Sequence, residues 1–268
     1  MNTWLEYLPI RNAAISLCIN GLKAVGISRS KRACHRDSDE TASYTKRKTI
    51  YHFELIRQYL PDLTGRIGLE IGPGSNLGVA ECCLANGAAE MLCAEQYATV
   101  QPNIGLHAEI AKKYGTCWTA PKLVTKPFEE IDTLVDFIYS IDVLEHVKDV
   151  RLAIEHMAKI LKPGGMCVHT VDFAGHNAYA NTGVDFLTCP DWMWSVLHGN
   201  LETTNRIRVS ELKSAIQASG MQLVRIVAAK TANLERIRKL RPLLNERFVH
   251  EPDSDLCVLQ GIFVFRKL

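Results

Sequence analysis

The sequence has little of what marks membrane spans, disulfide scaffolds or nucleic-acid binders. No apolar run reaches the roughly 18–20 residues that a membrane-spanning helix needs. The longest stretch, Ala13 to Ile27, is broken by Asn20, Gly21 and Lys23. Glu6 precedes it and no basic cluster does, so it does not read as a signal peptide. The nine cysteines include no CxxC pair. Neither a disulfide framework nor a zinc knuckle is indicated, and no metal is expected. Most lie in apolar stretches such as Val79 to Ala85 and Met166 to Val171, where cysteine acts as a small hydrophobe; a reducing, cytoplasmic setting is expected. Aromatics make up 7%, and no dense basic stripe interleaved with them appears, so no nucleic-acid partner is expected.

What remains is an ordinary globular mix, 47% hydrophobic and 22% charged over 268 residues, enough for one α/β domain with appendages. The net charge of +2 hides a division. Residues 1–66 hold eleven Lys/Arg against six Asp/Glu, residues 67–200 eight against sixteen, and residues 201–268 twelve against seven. Basic ends around an acidic middle suit an anionic substrate or a membrane surface, or are simply solvated helix faces.

Residues 1–30 pattern as a helix interrupted by Pro9, and the polar stretch Ser28 to Lys48, with RSKR and DSDE, reads as a linker or mobile lid. Residues 1–48 are therefore set apart from a domain at 49–268. Ile50, Phe53, Ile56, Tyr59 and Leu60 recur at helical spacing up to Pro61. From Gly65 on, short apolar runs alternate with helical ones. Strands are expected at Ile67 to Ile71, Glu90 to Ala94, Lys122 to Val124, Val135 to Ser140 and Met166 to Val171, then at Leu223 to Ala228 and Leu256 to Phe265. The pattern predicts an α/β, doubly wound, Rossmann-like mixed sheet of about seven strands with flanking helices. An N-terminal helical cap and an insertion after the fifth strand complete it. A cofactor half spans 65–172 and a substrate half 173–268.

The first strand runs into Glu70-Ile71-Gly72-Pro73-Gly74-Ser75-Asn76-Leu77-Gly78. Glycines there let the backbone turn tightly and approach a ligand, and the next helix offers its N-terminal amides. The second strand ends at Glu95, placed to accept bonds from ribose hydroxyls. A nicotinamide site uses the same acid. Two details tilt the choice away from it: the third glycine of GxGxxG is replaced by Leu77, and Glu70 would repel a pyrophosphate but welcome an aminoacyl ammonium.

Residues 67–78 (IGLEIGPGSNLG), 135–149 (VDFIYSIDVLEHVKD) and 161–167 (LKPGGMC) together resemble the class I S-adenosylmethionine-dependent methyltransferases. The resemblance implies S-adenosylmethionine as cofactor, with Gly72 and Gly74 along its methionine and ribose part. It places Glu70 near the amino group, Glu95 on the ribose hydroxyls and Gln96 beside the adenine. Phe128 and Glu129 fall at adenine neighbours, and Ser140, Ile141 and Asp142 beside the methionine moiety. Each has a structural alternative: Glu70 as a capping acid, Glu95 as the end of an edge strand, Phe128 as core, His146 as part of a strand-to-helix turn.

Acceptor binding is expected from the insertion after the fifth strand. Asp172 and His176 leave that strand on the cofactor side, and a histidine beside a carboxylate is a workable general base. His146 is the second candidate base. Asn205, Arg206 and Arg208 suit a phosphate or carboxylate, or equally cap the helix at Ser210 or pair with surface acids. Trp192 and Trp194 suit stacking on a ring, or burial under the insertion. The tail, ending in Asp255-Leu256-Cys257-Val258-Leu259 and Phe263-Val264-Phe265-Arg266-Lys267, resembles that of bacterial methyltransferases linked with surface-polysaccharide biosynthesis. The expected activity is methyl transfer to an oxygen, less readily a nitrogen, of a small metabolite such as a sugar or polysaccharide precursor. A nicotinamide-dependent oxidoreductase and a non-catalytic binding protein are the alternatives. The N-terminal helix suits a peripheral membrane or homodimer contact, or a cap.

Overall fold

In the computed structural model the described residues are 39–96, 100, 104–115, 119–175, 183–198 and 204–268, with positions 14, 17, 18, 21 and 22, which are helical. From residue 39 on, the described elements are helix α1 (Asp39–Tyr59), then β1 (Ile67–Ile71), α2 (Gly78–Ala85), β2 (Glu90–Ala94), α3 (Ile104–Tyr114) and β3 (Lys122–Val124). Then come β4 (Val135–Ile141), α4 (Val150–Ile160), β5 (Leu161–Asp172), α5 (Asp191–His198) and α6 (Val209–Ala218). The chain ends with β6 (Gln222–Thr231), α7 (Leu234–Leu240), α8 (Asp253–Leu256) and β7 (Val258–Arg266).

The seven strands form one sheet in the order β3-β2-β1-β4-β5-β7-β6. β1 to β5 pair in parallel, and β7 runs antiparallel between β5 and β6. The chain winds outward from β1 in both directions, so a crevice opens between the tips of β1 and β4. Such switch points are where open α/β sheets bind ligands.

Alternation along each strand sends side chains to two cores. On one face Leu69, Ile138 and Phe263 pack against Ile154 and Met157 of α4 and Leu212 of α6. Asp149 caps α4 by accepting from the Leu152 amide at 3.0 Å, and the buried stripe Val150, Ala153, Ile154, Met157 and Ile160 follows at helical spacing. Each large member of that stripe contributes about 1.5–3 kcal/mol by leaving water. On the other face Met91, Phe137 and Tyr139 meet Phe53 of α1, Leu84 of α2 and Ile110 of α3. A third core joins the insertion (Phe186, Leu187) to the β6–β7 connection (Ile237, Leu240, Phe248).

Two expectations change. The polar stretch ending at Lys48 is helical from Asp39 onward, so the boundary drawn at residue 48 falls inside α1. Thr49, His52 and Phe53, buried on the sheet, provide the tertiary contact that a composition-based reading of a linker does not register. The fifth strand starts at Leu161 rather than Met166, with a register shift where Val135 pairs Leu161 and Phe137 pairs Met166. The expected helix over residues 1–30, apart from the five helical positions, and residues 28–38 of the linker or lid expected at 28–48 lie outside the described residues.

Candidate active site

The turn after β1 sits at the switch point. Gly72 and Gly74 have φ of 64° and 74°, a left-handed conformation that glycine adopts without strain. The Gly72 amide donates to the Ala94 carbonyl at 2.9 Å, tying the turn to the end of β2. A Cβ on Gly72 would lie 2.8 Å from Val143 Cγ2, whereas one on Gly74 would meet nothing within 4 Å. Gly72 is therefore set by close approach to the β4 loop, and Gly74 faces open space. The Gly74 amide donates to Glu95 Oε2 at 3.1 Å, so turn and acid form one unit. Glu95 directly follows β2, which is an interior strand and not an edge. Gln96 follows it, exposed.

Glu70 lies beneath the turn, 3% exposed, with the Cys93 thiol donating to its Oε2 at 3.8 Å. Burial raises its pKa from 4.5 to about 8, against the stabilising effect of Tyr139 and Cys93, while the Glu95 charge raises it further.

At the tip of β4 the three expected residues part ways. Ser140 is fully buried and its hydroxyl pairs with His169 Nδ1 at 2.7 Å, while Ile141 is half-buried. Asp142 adopts φ 53°, a sparsely populated backbone region for a residue with a side chain. It is held there by its amide to the Thr170 carbonyl at 3.0 Å, and by Thr170 Oγ1 and Gln260 Nε2 donating to Oδ1 at 3.1 and 3.2 Å. Lys48 of α1 reaches Asp142 Oδ2 at 3.5 Å. His52, one turn on, is buried beside the pair; burial and then the Lys48 charge lower its pKa to about 4. Sequence reasoning missed Lys48 and His52 because α1 was cut short. Their four-residue spacing on one helical face was the signal available.

The short helical turn Leu144–His146 follows. Glu145 is 1% exposed, and His146 Nε2 stands 4.0 Å from its Oε1, so the candidate base belongs to this loop. Asp172 ends β5, with Oδ1 accepting from the Ala174 amide at 2.9 Å. His176 lies outside the described residues. Of the two expected adenine neighbours, Phe128 goes into the core edge-to-face with His156 at 5.8 Å, and Glu129 stays exposed.

Most of the expected acceptor-binding set is engaged elsewhere, which corrects the sequence reading. Arg208 is fully buried and donates to the carbonyls of Phe173, Asp255, Leu256 and Val258 at 2.8–3.1 Å. Arg206 donates to the Cys189 carbonyl and to Asp191, with its guanidinium 4.7 Å from the Trp194 ring centre. Asn205 Nδ2 donates to the Leu144 and Val147 carbonyls at 2.7 and 2.9 Å, bracing the Glu145 loop. Trp194 packs with Phe186 and His198; Trp192 is 64% exposed. A buried guanidinium requires acceptors, and these peptide carbonyls supply them.

The residues present fit S-adenosylmethionine: open space over Gly74 and an acid bridged to the turn, with no group of residues among those described that would hold a metal. Among the described residues no helix is long and apolar enough to cross a membrane. A methyltransferase-domain family model matches residues 44–226, well over half the chain. No curated protein matches. Among solved structures, phosphoethanolamine N-methyltransferase 2 of Haemonchus contortus in complex with S-adenosyl-L-methionine is similar at TM-score 0.52 and 14% identity, over 82% of this chain and 52% of that one. Magnesium protoporphyrin IX methyltransferase of Synechocystis with bound SAH is similar at 0.50 and 11%, over 87% and 89%. A Mesorhizobium loti S-adenosylmethionine-dependent methyltransferase gives 0.49 and 16%, over 80% and 96%. The first two of these likenesses carry the fold, and the family match sets aside the oxidoreductase alternative. The chain belongs to the class I S-adenosylmethionine-dependent methyltransferases.

Proposed function

We propose that the chain methylates a small metabolite held over the carboxyl ends of β4 and β5 and against the Lys48–His52 face of α1. The observation that carries this reading is the bond from the Gly74 amide to Glu95 Oε2, which joins the turn after β1 to the acid after β2. In this reading Gly72 and Gly74 line the cofactor's chain, Glu95 holds its ribose, Glu70 lies beneath its amino group, and Gln96 and Glu129 flank its base.

When bound, the cofactor supplies an electrophilic methyl group on a sulfonium. The protein's task is then alignment and exclusion of water. The strained, four-way-held Asp142 suits alignment, because its carboxylate has little freedom to move. An oxygen acceptor, as on a sugar or polysaccharide precursor, needs a base for its hydroxyl proton. His146 beside Glu145 is the described candidate, and the His176–Asp172 pair is the other. A nitrogen acceptor needs a carboxylate that steadies its charge. A small-molecule acceptor is the partner proposed, and the free buried cysteines support a reducing, cytoplasmic setting.

The test is calorimetry with S-adenosylmethionine and its demethylated product on the wild type and Glu95→Ala. Losing hydrogen bonds to a charged acceptor costs about 1.5–3 kcal/mol, so affinity should fall roughly 10- to 100-fold. Unchanged affinity refutes the assignment of Glu95.

A further inference from the structure

The turn that follows β4 is held from a distant part of the chain. Leu144–His146 is closed by the His146 amide on the Val143 carbonyl at 2.8 Å and the Val147 amide on the Leu144 carbonyl at 3.3 Å. Three carbonyls of residues 144–147 are met by one further residue. Asn205 donates from its backbone amide to the Glu145 carbonyl at 2.6 Å, and from Nδ2 to those of Leu144 and Val147 at 2.7 and 2.9 Å. Its Oδ1 accepts from the Ile207 amide at 3.0 Å, so the side-chain amide is committed at both ends. The next residue, Arg206, has φ 60°, a conformation that persists in a residue with a Cβ only where its surroundings impose it. They do so here. Its guanidinium donates to the Cys189 carbonyl and to Asp191, and lies 4.7 and 5.6 Å from the Trp194 and Phe248 ring centres. The backbone that presents Asn205 is therefore anchored in the third core. On the other side of the turn, Val143 Cγ2 stands 2.8 Å from where Gly72 would carry a Cβ, so the held turn abuts the glycine turn after β1.

We propose that Asn205 is a positioning residue for the cofactor site: by holding residues 144–147 it sets Val143 against Gly72, and so fixes the glycine turn in the shape that receives S-adenosylmethionine. The proposal rests on the reading of Gly72, Gly74 and Glu95 as the cofactor cradle, and adds to it a residue that acts through others. The route is a chain of direct contacts, from the third core through Arg206 and Asn205 to the turn after β4, Val143 and Gly72. Close-packed groups have little room to yield, so a displacement at one link is passed to the next. Without the Nδ2 donors the Leu144 and Val147 carbonyls lose a partner, and the turn must shift to regain one or leave a polar group poorly paired. The same bonds set the insertion, where acceptor binding is expected, in a fixed relation to the cofactor turn, as alignment of two bound partners requires.

The test is calorimetry of S-adenosylhomocysteine on the wild type, Asn205→Asp, Asn205→Ser and Ile237→Val, with amide NMR spectra of the ligand-free proteins. Asn205→Asp keeps the acceptor for the Ile207 amide and turns both donors into an oxygen facing carbonyls. Asn205→Ser removes the donors without adding charge, and serves if the aspartate variant fails to fold. Ile237→Val removes a methyl from the third core and reports what a loss of stability alone does. The affinity of the folded protein for S-adenosylhomocysteine is expected to fall at least about fivefold in both Asn205 variants, and to stay within about twofold of wild type in Ile237→Val. The Gly72 and Gly74 amide peaks are expected to shift in the Asn205 variants, which a loss of stability alone does not produce. Unchanged affinity in the Asn205 variants, an equal fall in Ile237→Val, or a fall with both glycine peaks unmoved overturns the proposal. Failure of the wild type to bind S-adenosylhomocysteine refutes the cofactor reading instead.

Discussion

The Gly74 amide donates to Glu95 Oε2 at 3.1 Å, bridging a turn and a strand tip separated by 21 residues of chain. The two features the sequence offered separately are thereby one device: the turn presents its amide, and the acid fixes the turn's position before any ligand arrives.

The two glycines of that turn should respond differently to alanine. Gly72→Ala places a methyl 2.8 Å from Val143 Cγ2 in a left-handed backbone, so both contact and conformation oppose it. A loss of about 2–3 kcal/mol in unfolding free energy is expected. Gly74→Ala suffers only the conformational penalty of about 1–2 kcal/mol, since nothing lies within 4 Å. Its methyl instead enters the space assigned to cofactor. Denaturant melts should rank Gly72→Ala as less stable, while calorimetry should show Gly74→Ala losing more affinity than stability.

Arg208 should prove a structural residue. Arg208→Met leaves four backbone carbonyls, those of Phe173, Asp255, Leu256 and Val258, without their donor. Burial lowers the guanidinium pKa to about 10, so it remains charged near neutrality. A loss of about 3–5 kcal/mol is expected, and Arg208→Lys should recover little because one ammonium cannot span four acceptors. A fully stable variant with a raised acceptor KM would restore Arg208 to the substrate site.

Stability should depend on pH through Glu70. Its carboxyl titrates near 4.5 unfolded and at about 8 folded. Between those values the folded protein holds a proton that the unfolded chain releases. Stability therefore falls as pH rises from 4.5 to about 8, on the order of a few kcal/mol at ~1.4 kcal/mol per unit, and levels off above. His52 and His169, lowered by burial to about 4 and 3, act oppositely: stability falls as pH drops below 6.5. In Glu70→Gln the alkaline-side slope should flatten while the acid-side loss remains. Identical slopes in unfolding free energy between pH 5 and 8 would remove Glu70 from this role.

Much of the scaffold was readable in the sequence. Ile67 to Ile71, the glycine turn and Glu95 are local features: strand alternation and left-handed turns leave residue-type signatures within a few positions. Asp149 ahead of the stripe Val150 to Ile160 is likewise a local cap. Lys48 and His52 were hidden because helix α1 carries few apolar residues early on, and its place depends on docking against the sheet.

The sequence by itself determined the alternating strands and helices, the cofactor turn and the acid that follows it, since each depends on backbone conformations that particular residue types favour over short range. Only the tertiary structure decided what the charged side chains of the second half do. An arginine in a sequence looks the same whether it awaits a phosphate or cross-links carbonyls; which one it meets depends on peptide groups dozens of residues away. The same holds for Asp142, Glu145 and Asp172, whose gathering at one end of the sheet is a consequence of strand order.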